Sequence, residues 1–329
     1  MTSESHAEAF RAYSNYFEDL GALLGGRYGV AETLAEGVIE ATTSHPGLAS
    51  AQRRPLEGAR QAAFDEGMRK GWGFLRRAQR EVEDSDFFDS EANAYLPYFA
   101  YYATYHCGRA FAAASRQQIP RDHAALLRTL SAAATRGAFP YPWSAWCKGC
   151  PETLEVEFGD VSAGDVHVLS RPRYETSDER LAMFLRTTRG KQLGEYYAVQ
   201  RTKAVKPGKT RRALSAEEKR RHAGRLPATT IFDLLYRIRK KVSYGDADVF
   251  VLGPGSEVEA RRLAEGLVLV CDATVAMLEA ASAIYAGPEL LERAAEAYAE
   301  RTESSLIARR HALWAQRASG RRSLVAAAW

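Results

Sequence analysis

Two stretches of this chain carry side chains able to handle a phosphate and a proton. One runs Ala100-Tyr101-Tyr102-Ala103-Thr104-Tyr105-His106-Cys107-Gly108-Arg109-Ala110 and leads through Pro120-Arg121-Asp122 to His123. The other runs Leu235-Tyr236-Arg237-Ile238-Arg239-Lys240-Lys241-Val242-Ser243-Tyr244-Gly245-Asp246. Imidazoles titrate near neutral pH, so His106 and His123 are candidate proton carriers. A helix N-terminus at His123 favours the neutral, base-competent ring. Arg116 and His123, with six residues between them, offer one Arg–His spacing, although Pro120 interrupts it. Each residue also has a plainer reading. His106 fits a core histidine among Tyr101, Tyr102 and Tyr105, His123 a helix start, and Tyr244 with Asp246 a structural turn.

Together the two stretches resemble the HEPN superfamily, helical-bundle domains of prokaryotic toxins and defence proteins. The resemblance covers roughly 95–135 and 231–285 and leaves out the N-terminal helices and the middle of the chain. It implies a metal-independent endoribonuclease that works as a homodimer without a cofactor, in which an Arg and a His a few residues later face their copies across a cleft. The guanidinium holds the scissile phosphate in bidentate fashion while the imidazole moves the 2′-hydroxyl proton. Arg239 stands where that Arg is expected, but five residues on stands Tyr244, not His. A phenol with an ordinary pKa near ~10 is a weak base at neutral pH unless neighbouring cations lower it. The implied site is therefore Arg239, Tyr244, His123, His106 and Asp246. The same departure also fits a non-catalytic HEPN scaffold that holds nucleic acid or an acidic protein, including a partner encoded beside it.

Charge supports a polyanion as ligand. Between Arg186 and Lys241 lie seventeen Lys or Arg against four acids, an excess of thirteen in a chain whose net charge is +4. RNA, or DNA, is the commonest anion that spreads over so many cations. The candidate contacts are Lys203, Lys206, Lys209, Arg211, Arg212, Arg220, Arg221, Arg237, Lys240 and Lys241; a solvated basic loop is the alternative for the run around Pro207 and Gly208. A second cluster, Arg309, Arg310, His311, Trp314, Arg317, Arg321 and Arg322, either extends that track or forms a solvated helix face with Trp314 packed inward. The stripe Tyr95, Tyr98, Phe99, Tyr102, Tyr105 and Phe111 reads as core or dimer interface before it reads as a base-stacking platform.

Periodicity predicts a mainly α protein, an antiparallel helical bundle with an N-terminal helical extension and a small hairpin-bearing basic insertion, and the resemblance implies that the bundle is HEPN-like. The predicted regions are 1–94 (N-terminal helices), 95–137 (first half of the bundle), 138–214 (insertion) and 215–329 (second half and basic C-terminal helix). Helices are expected at Glu8–Leu24, ended by Gly25-Gly26, then at 30–41, from Pro55 to Val82, at Tyr95–Ala114, His123–Ala134, Asp178–Arg189, Ile231–Lys241, Glu257–Tyr285 and Pro288–Arg317. Ser215-Ala216-Glu217-Glu218 reads as a capping box. Leu154, Val156 and Phe158 are expected to pair with Val166 and Val168 in a hairpin.

Cys147 and Cys150 have the spacing of a redox pair or of half a zinc site. Pro142 before them and Pro151 after them offer no helix N-terminus to lower a thiol pKa, and His123 and His167 supply no second paired spacing, so a structural loop is the leading reading. No resident metal or Walker-type loop is indicated. The start, with Ser3, Glu4, His6 and Glu8, lacks the pattern of a secretory signal, and the apolar stretch 266–276 is short for a membrane span, so the expected compartment is the cytoplasm.

Overall fold

In the computed structural model, the described residues are 3–83, 90–161, 176–203, 213–243, 247–300 and 305–326. They form twelve α-helices and one three-stranded sheet, a mainly α protein. The chain divides into two compact units, 1–129 with 238–329, and 130–237. The expected insertion at 138–214 lies inside the second unit.

The first unit holds α1 (Ser3–Tyr28), α2 (Leu34–Thr43), α3 (Gly58–Glu83) and α4 (Leu96–Ala114), the start of α5 (His123–Thr135), the end of α8 (Ile231–Ser243), and α9 (Asp248–Val251), α10 (Glu257–Ala286), α11 (Pro288–Ala299) and α12 (Ser305–Ala326). Its centre is α10, packed on α4, α1 and α2, while α3 lies along α4. That last contact is close because α3 puts glycines where α4 crosses. A Cβ on Gly67 would sit 2.8 Å from the His106 carbonyl oxygen, and one on Gly71 would sit 2.3 Å from Cys107 Sγ. Phe64, Met68, Trp72 and Leu75 complete the buried face of α3 at helical spacing.

Two boundaries differ from expectation. The first helix does not stop at Gly25-Gly26 but runs through them to Tyr28, and the chain turns at Gly29, whose φ of +112° suits glycine. The helix expected over Pro288–Arg317 is two, α11 and α12, with 301–304 outside the described residues. Among the described helices α10 alone is long and apolar enough to cross a membrane, and 78% of its apolar window is buried inside the protein, as in a core helix.

The second unit holds the end of α5, β1 (Trp146–Cys150), β2 (Glu155–Gly159), α6 (Ser177–Lys203), α7 (Ala216–Ala223), β3 (Thr229–Thr230) and the start of α8. The strand order is β2-β1-β3, antiparallel throughout, with Cys150 opposite Glu155 and Trp146 opposite Thr230. The Cys147–Cys150 stretch expected to be a loop is therefore the central strand. It pairs with 155–159, while 166–168, expected to pair with 154–158, lie outside the described residues. Helix α6 runs well past Arg189, taking in the first part of the basic run. The capping box holds: Glu218 N–H donates to Ser215 Oγ at 3.2 Å and Ser215 N–H to Glu218 Oε2 at 2.8 Å.

Candidate functional site

Helix α4 brings Tyr101, Tyr102, Tyr105 and His106 to one side because they fall one turn apart in two adjacent rows. Helix α5 begins at His123, fixed there by Asp122, whose Oδ1 accepts the Ala125 N–H at 2.7 Å. Near its other end α8 carries Arg239. All these residues belong to the first unit.

They converge on Tyr102. Arg239 Nη2 donates to the Tyr102 hydroxyl at 3.1 Å, and the guanidinium carbon lies 5.5 Å from the centroid of that ring, a cation–π distance. The His123 ring stands edge-on to Tyr102 at 5.8 Å and beside Tyr105 at 4.8 Å. His123 Nδ1 is 2.8 Å from the Tyr101 hydroxyl. The direction of that bond decides what the other ring nitrogen can do. If the phenol accepts from Nδ1–H, Nε2 bears the lone pair of a base; if it donates to Nδ1, Nε2 carries the proton of an acid.

Burial sets the proton chemistry. The His123 pKa is lowered by desolvation first and by the Arg239 charge second, with Asp122 opposing, so the ring is neutral at pH 7. His106 is pushed down to about 4 by desolvation, then by Lys70 and Arg109, with Glu66 opposing. Tyr98 and Tyr105 are pushed up from 10, burial outweighing Arg239 at the first and Arg109 at the second. Cations beside these phenols therefore do not turn them into bases.

His106 lies one turn along α4 from Tyr102, stacked on Phe74 with ring centroids 5.6 Å apart and planes 3° from parallel. It is buried, but it is not the hydrogen-bonded core histidine of the plainer reading, because its Nδ1 has no partner. Arg116 does not serve His123; its Nη2 donates to the Pro55 carbonyl at 3.0 Å. Tyr244 and Asp246 lie outside the described residues, as do Lys206, Lys209, Arg211, Arg212 and the side chain of Lys203. Lys240 and Lys241 are half-buried on α8.

In the second unit Arg220 Nε is 2.8 Å from Glu155 Oε2, and Arg221 is exposed. Arg237 is turned inward, donating to Thr187 and Thr188 at 3.2 and 3.0 Å and lying over Phe184. Arg189, fully buried, donates to the carbonyls of Gly149, Pro227 and Ala223. Part of the basic run is thus structural cation. Cys147 and Cys150 are buried, and desolvation pushes the Cys147 thiol up to about 12, the reverse of a reactive cysteine. Among the described residues no group of three or more His, Cys, Asp or Glu could hold a metal ion.

Sequence reasoning missed two groupings. Lys70, Phe74 and Arg77 of α3 and Arg109 of α4 adjoin the tyrosine face; the signal was the helical spacing of Tyr102, His106 and Arg109. The second is a buried ionic centre. Glu279 of α10, with no exposure, accepts from Trp72 Nε1 at 2.7 Å and Trp314 Nε1 at 3.0 Å and lies 3.6 Å from Nε of Arg310, whose Nη2 pairs with Asp272. Arg310 therefore leaves the proposed C-terminal track, and Trp314 packs inward. No protein-family model, curated protein or solved structure matches the chain.

Proposed function

We propose that this chain is an HEPN-like, RNA-directed protein of the cytoplasm that works as a homodimer in a toxin or antiphage defence setting and cleaves RNA without a metal. One observation carries the reading: Arg239 and His123, distant in sequence, meet over the single ring of Tyr102, with His123 held neutral and oriented by Tyr101. In the proposed reaction His123 takes the proton of a ribose 2′-hydroxyl through Nε2, with Nδ1–H donated to the Tyr101 hydroxyl, the 2′-oxygen attacks the adjacent phosphorus, and the bond from phosphorus to the 5′-oxygen breaks; the leaving 5′-oxygen takes a proton from water, and the His123 imidazolium then returns its proton to solvent. Arg239 offsets the charge that develops on the phosphoryl oxygens. The products are a 2′,3′-cyclic phosphate and a 5′-hydroxyl.

The test is cleavage of a labelled RNA by the purified chain in EDTA, with His123→Ala and Arg239→Lys beside it. Each substitution is expected to lower the rate by about 10²–10⁴-fold while RNA affinity changes by less than about tenfold, since one phosphate contact among many contributes little. Loss of wild-type activity on chelation would count against the mechanism.

The depth of Arg239, 8% exposed, favours a second reading, in which the same bundle holds RNA or an acidic partner without cutting it. In that case the wild-type chain binds RNA, or the partner, and yields no cyclic phosphate under any condition.

A further inference from the structure

Beside Arg239 and His123, the α3–α4 face carries a set of groups that the cleavage reading does not use. Phe74 is its hub, with ring centroids 6.1 Å from Tyr98, 6.4 Å from Phe99, 5.5 Å from Tyr102 and 5.6 Å from His106. Phe74, Tyr98, Phe99 and Tyr102 are all half-buried, so each ring keeps part of its surface in solvent. Cations rim the rings. Arg77 lies 5.8 Å over Phe99, and Lys70 and Arg109 both act on His106. Two of the cations have partners on their own helix, Lys70 with Glu66 at 2.6 Å and Arg77 with Glu81 at 3.0 Å.

Arg109 differs. Among the described residues it makes no ion pair, and its Nε is buried without a hydrogen-bond acceptor; one turn back, His106 Nδ1 is likewise buried. Arg109 is half-buried, so its charge stands beside the half-buried rings without a carboxylate in contact to offset it, which suits an anion brought there by a ligand. Exposed aromatic faces beside a guanidinium suit an unpaired nucleotide, whose base stacks while its phosphate meets the cation. A duplex offers no free base face to such rings.

We propose that this face is a nucleotide subsite in which an unpaired base lies against Phe74, Phe99 and Tyr98 and its phosphate is held by Arg109 and Lys70, so that the RNA taken up is single-stranded. This rests on the RNA-binding reading above and adds the strandedness of the ligand.

The probe is a fluorescent oligoadenylate of about a dozen nucleotides, measured by anisotropy against the same strand annealed to its complement. The full chain is compared with Arg109→Gln, Lys70→Gln and Phe99→Leu, each checked by circular dichroism melting. The wild type should prefer the single strand. Arg109→Gln should weaken single-strand binding about tenfold and reduce the salt slope by about one, and Phe99→Leu should weaken it about fivefold; the duplex should change by less than twofold. If Arg109→Gln does not fold, Lys70→Gln, on an exposed side chain, carries the test, with a drop of about threefold expected. Normal RNA binding that none of these variants alters selectively overturns the subsite alone. No RNA binding by the wild type overturns the subsite and the proposed function together. A change of molecular mass in light scattering with RNA binding intact assigns the face to contact between copies and also overturns it.

Discussion

His106 should make the first unit acid-labile in a way that one substitution removes. Its folded pKa is about 4 against an ordinary value of 6.5, because burial strips water from the charged ring and the cations Lys70 and Arg109 repel it, with Glu66 only partly compensating. The folded value is the depressed one, so this stability is complete above pH 6.5 and falls as pH drops toward 4, where the folded ring also takes up a proton. At pH 5 the unfolded imidazole is charged and the folded one is not. One and a half pH units below 6.5, at about 1.36 kcal/mol each, give a loss of about 2 kcal/mol. Set against a typical total of about 5–15 kcal/mol, that is readily measured.

The assay is urea unfolding of the wild type and His106→Gln at pH 7.5 and pH 5, followed by tryptophan fluorescence, since Trp72 and Trp314 are buried in this unit. Buried carboxylates with raised pKa values, such as Glu279, titrate in both proteins and cancel in the comparison. Gln fills similar space without a proton to gain, so the variant should lose about 2 kcal/mol less than the wild type between the two pH values. With a urea slope of about 2–3 kcal/mol per molar, the midpoints should diverge by nearly 1 M. Parallel pH profiles for the two proteins would falsify the argument.

Three further outcomes are expected. Glu279→Ala leaves the Trp72 and Trp314 N–H groups without their acceptor and Arg310 with Asp272 alone, so it should cost about 3–5 kcal/mol in urea unfolding; a loss under about 1 kcal/mol would mean that the centre does not hold α12. Cys147 and Cys150 should resist a thiol reagent at pH 8 until the protein is unfolded, and dithiothreitol should leave the melting temperature unchanged; rapid labelling in the native state would contradict their burial. If the chain cleaves RNA, the acid limb of its kcat/KM profile should lie below 6.5, set by His123, and a limb displaced toward 10 would implicate a phenol instead.

Helices were legible where one face is apolar at helical spacing, as in Phe64, Met68, Trp72 and Leu75, and where a cap is written in the chain, as at Ser215 and Glu218. Boundaries that depend on partners were not. Gly25 and Gly26 resemble a stop signal, yet α1 continues through them because breaking a helix requires a turn as well as a weak residue, and the turn is made by Gly29. The Cys147–Cys150 spacing resembles a binding motif, but pairing with residues 155–159 and 229–230 makes the segment a central strand. Arg310 and Arg189 looked like surface cations. Only tertiary structure brings Glu279 and Asp272 to the first and three carbonyls to the second, so charge counted along the sequence overstated the cations offered to a ligand. In the site, the neighbourhood of Arg239, His123 and the tyrosines could be anticipated from the two stretches, and Arg109 from its helical spacing with Tyr102 and His106, whereas Phe74 could not, because its setting depends on how closely α3 approaches α4 through Gly67 and Gly71.

That close approach also sorts the candidate proton carriers. Packing α3 against α4 desolvates the tyrosine face, and desolvation favours whichever form of a side chain is neutral. For an imidazole the neutral form is the base, so burial keeps His123 ready to accept a proton at pH 7, and the charge of Arg239 pushes the same way. For a phenol the neutral form is the acid, so burial holds Tyr98 and Tyr105 protonated, and here Arg239 and Arg109 push against it without prevailing. One environment therefore favours opposite chemistry in two residue types: an imidazole left as a base at His123, and phenols left as acids at Tyr98 and Tyr105. His106, driven further down, stays neutral through the physiological range and contributes a ring and an unpartnered nitrogen rather than a charge. If the chain cleaves RNA, an imidazole from elsewhere in the fold can take the proton in place of the motif His, and among the described residues His123 is the one placed beside Arg239 to do so.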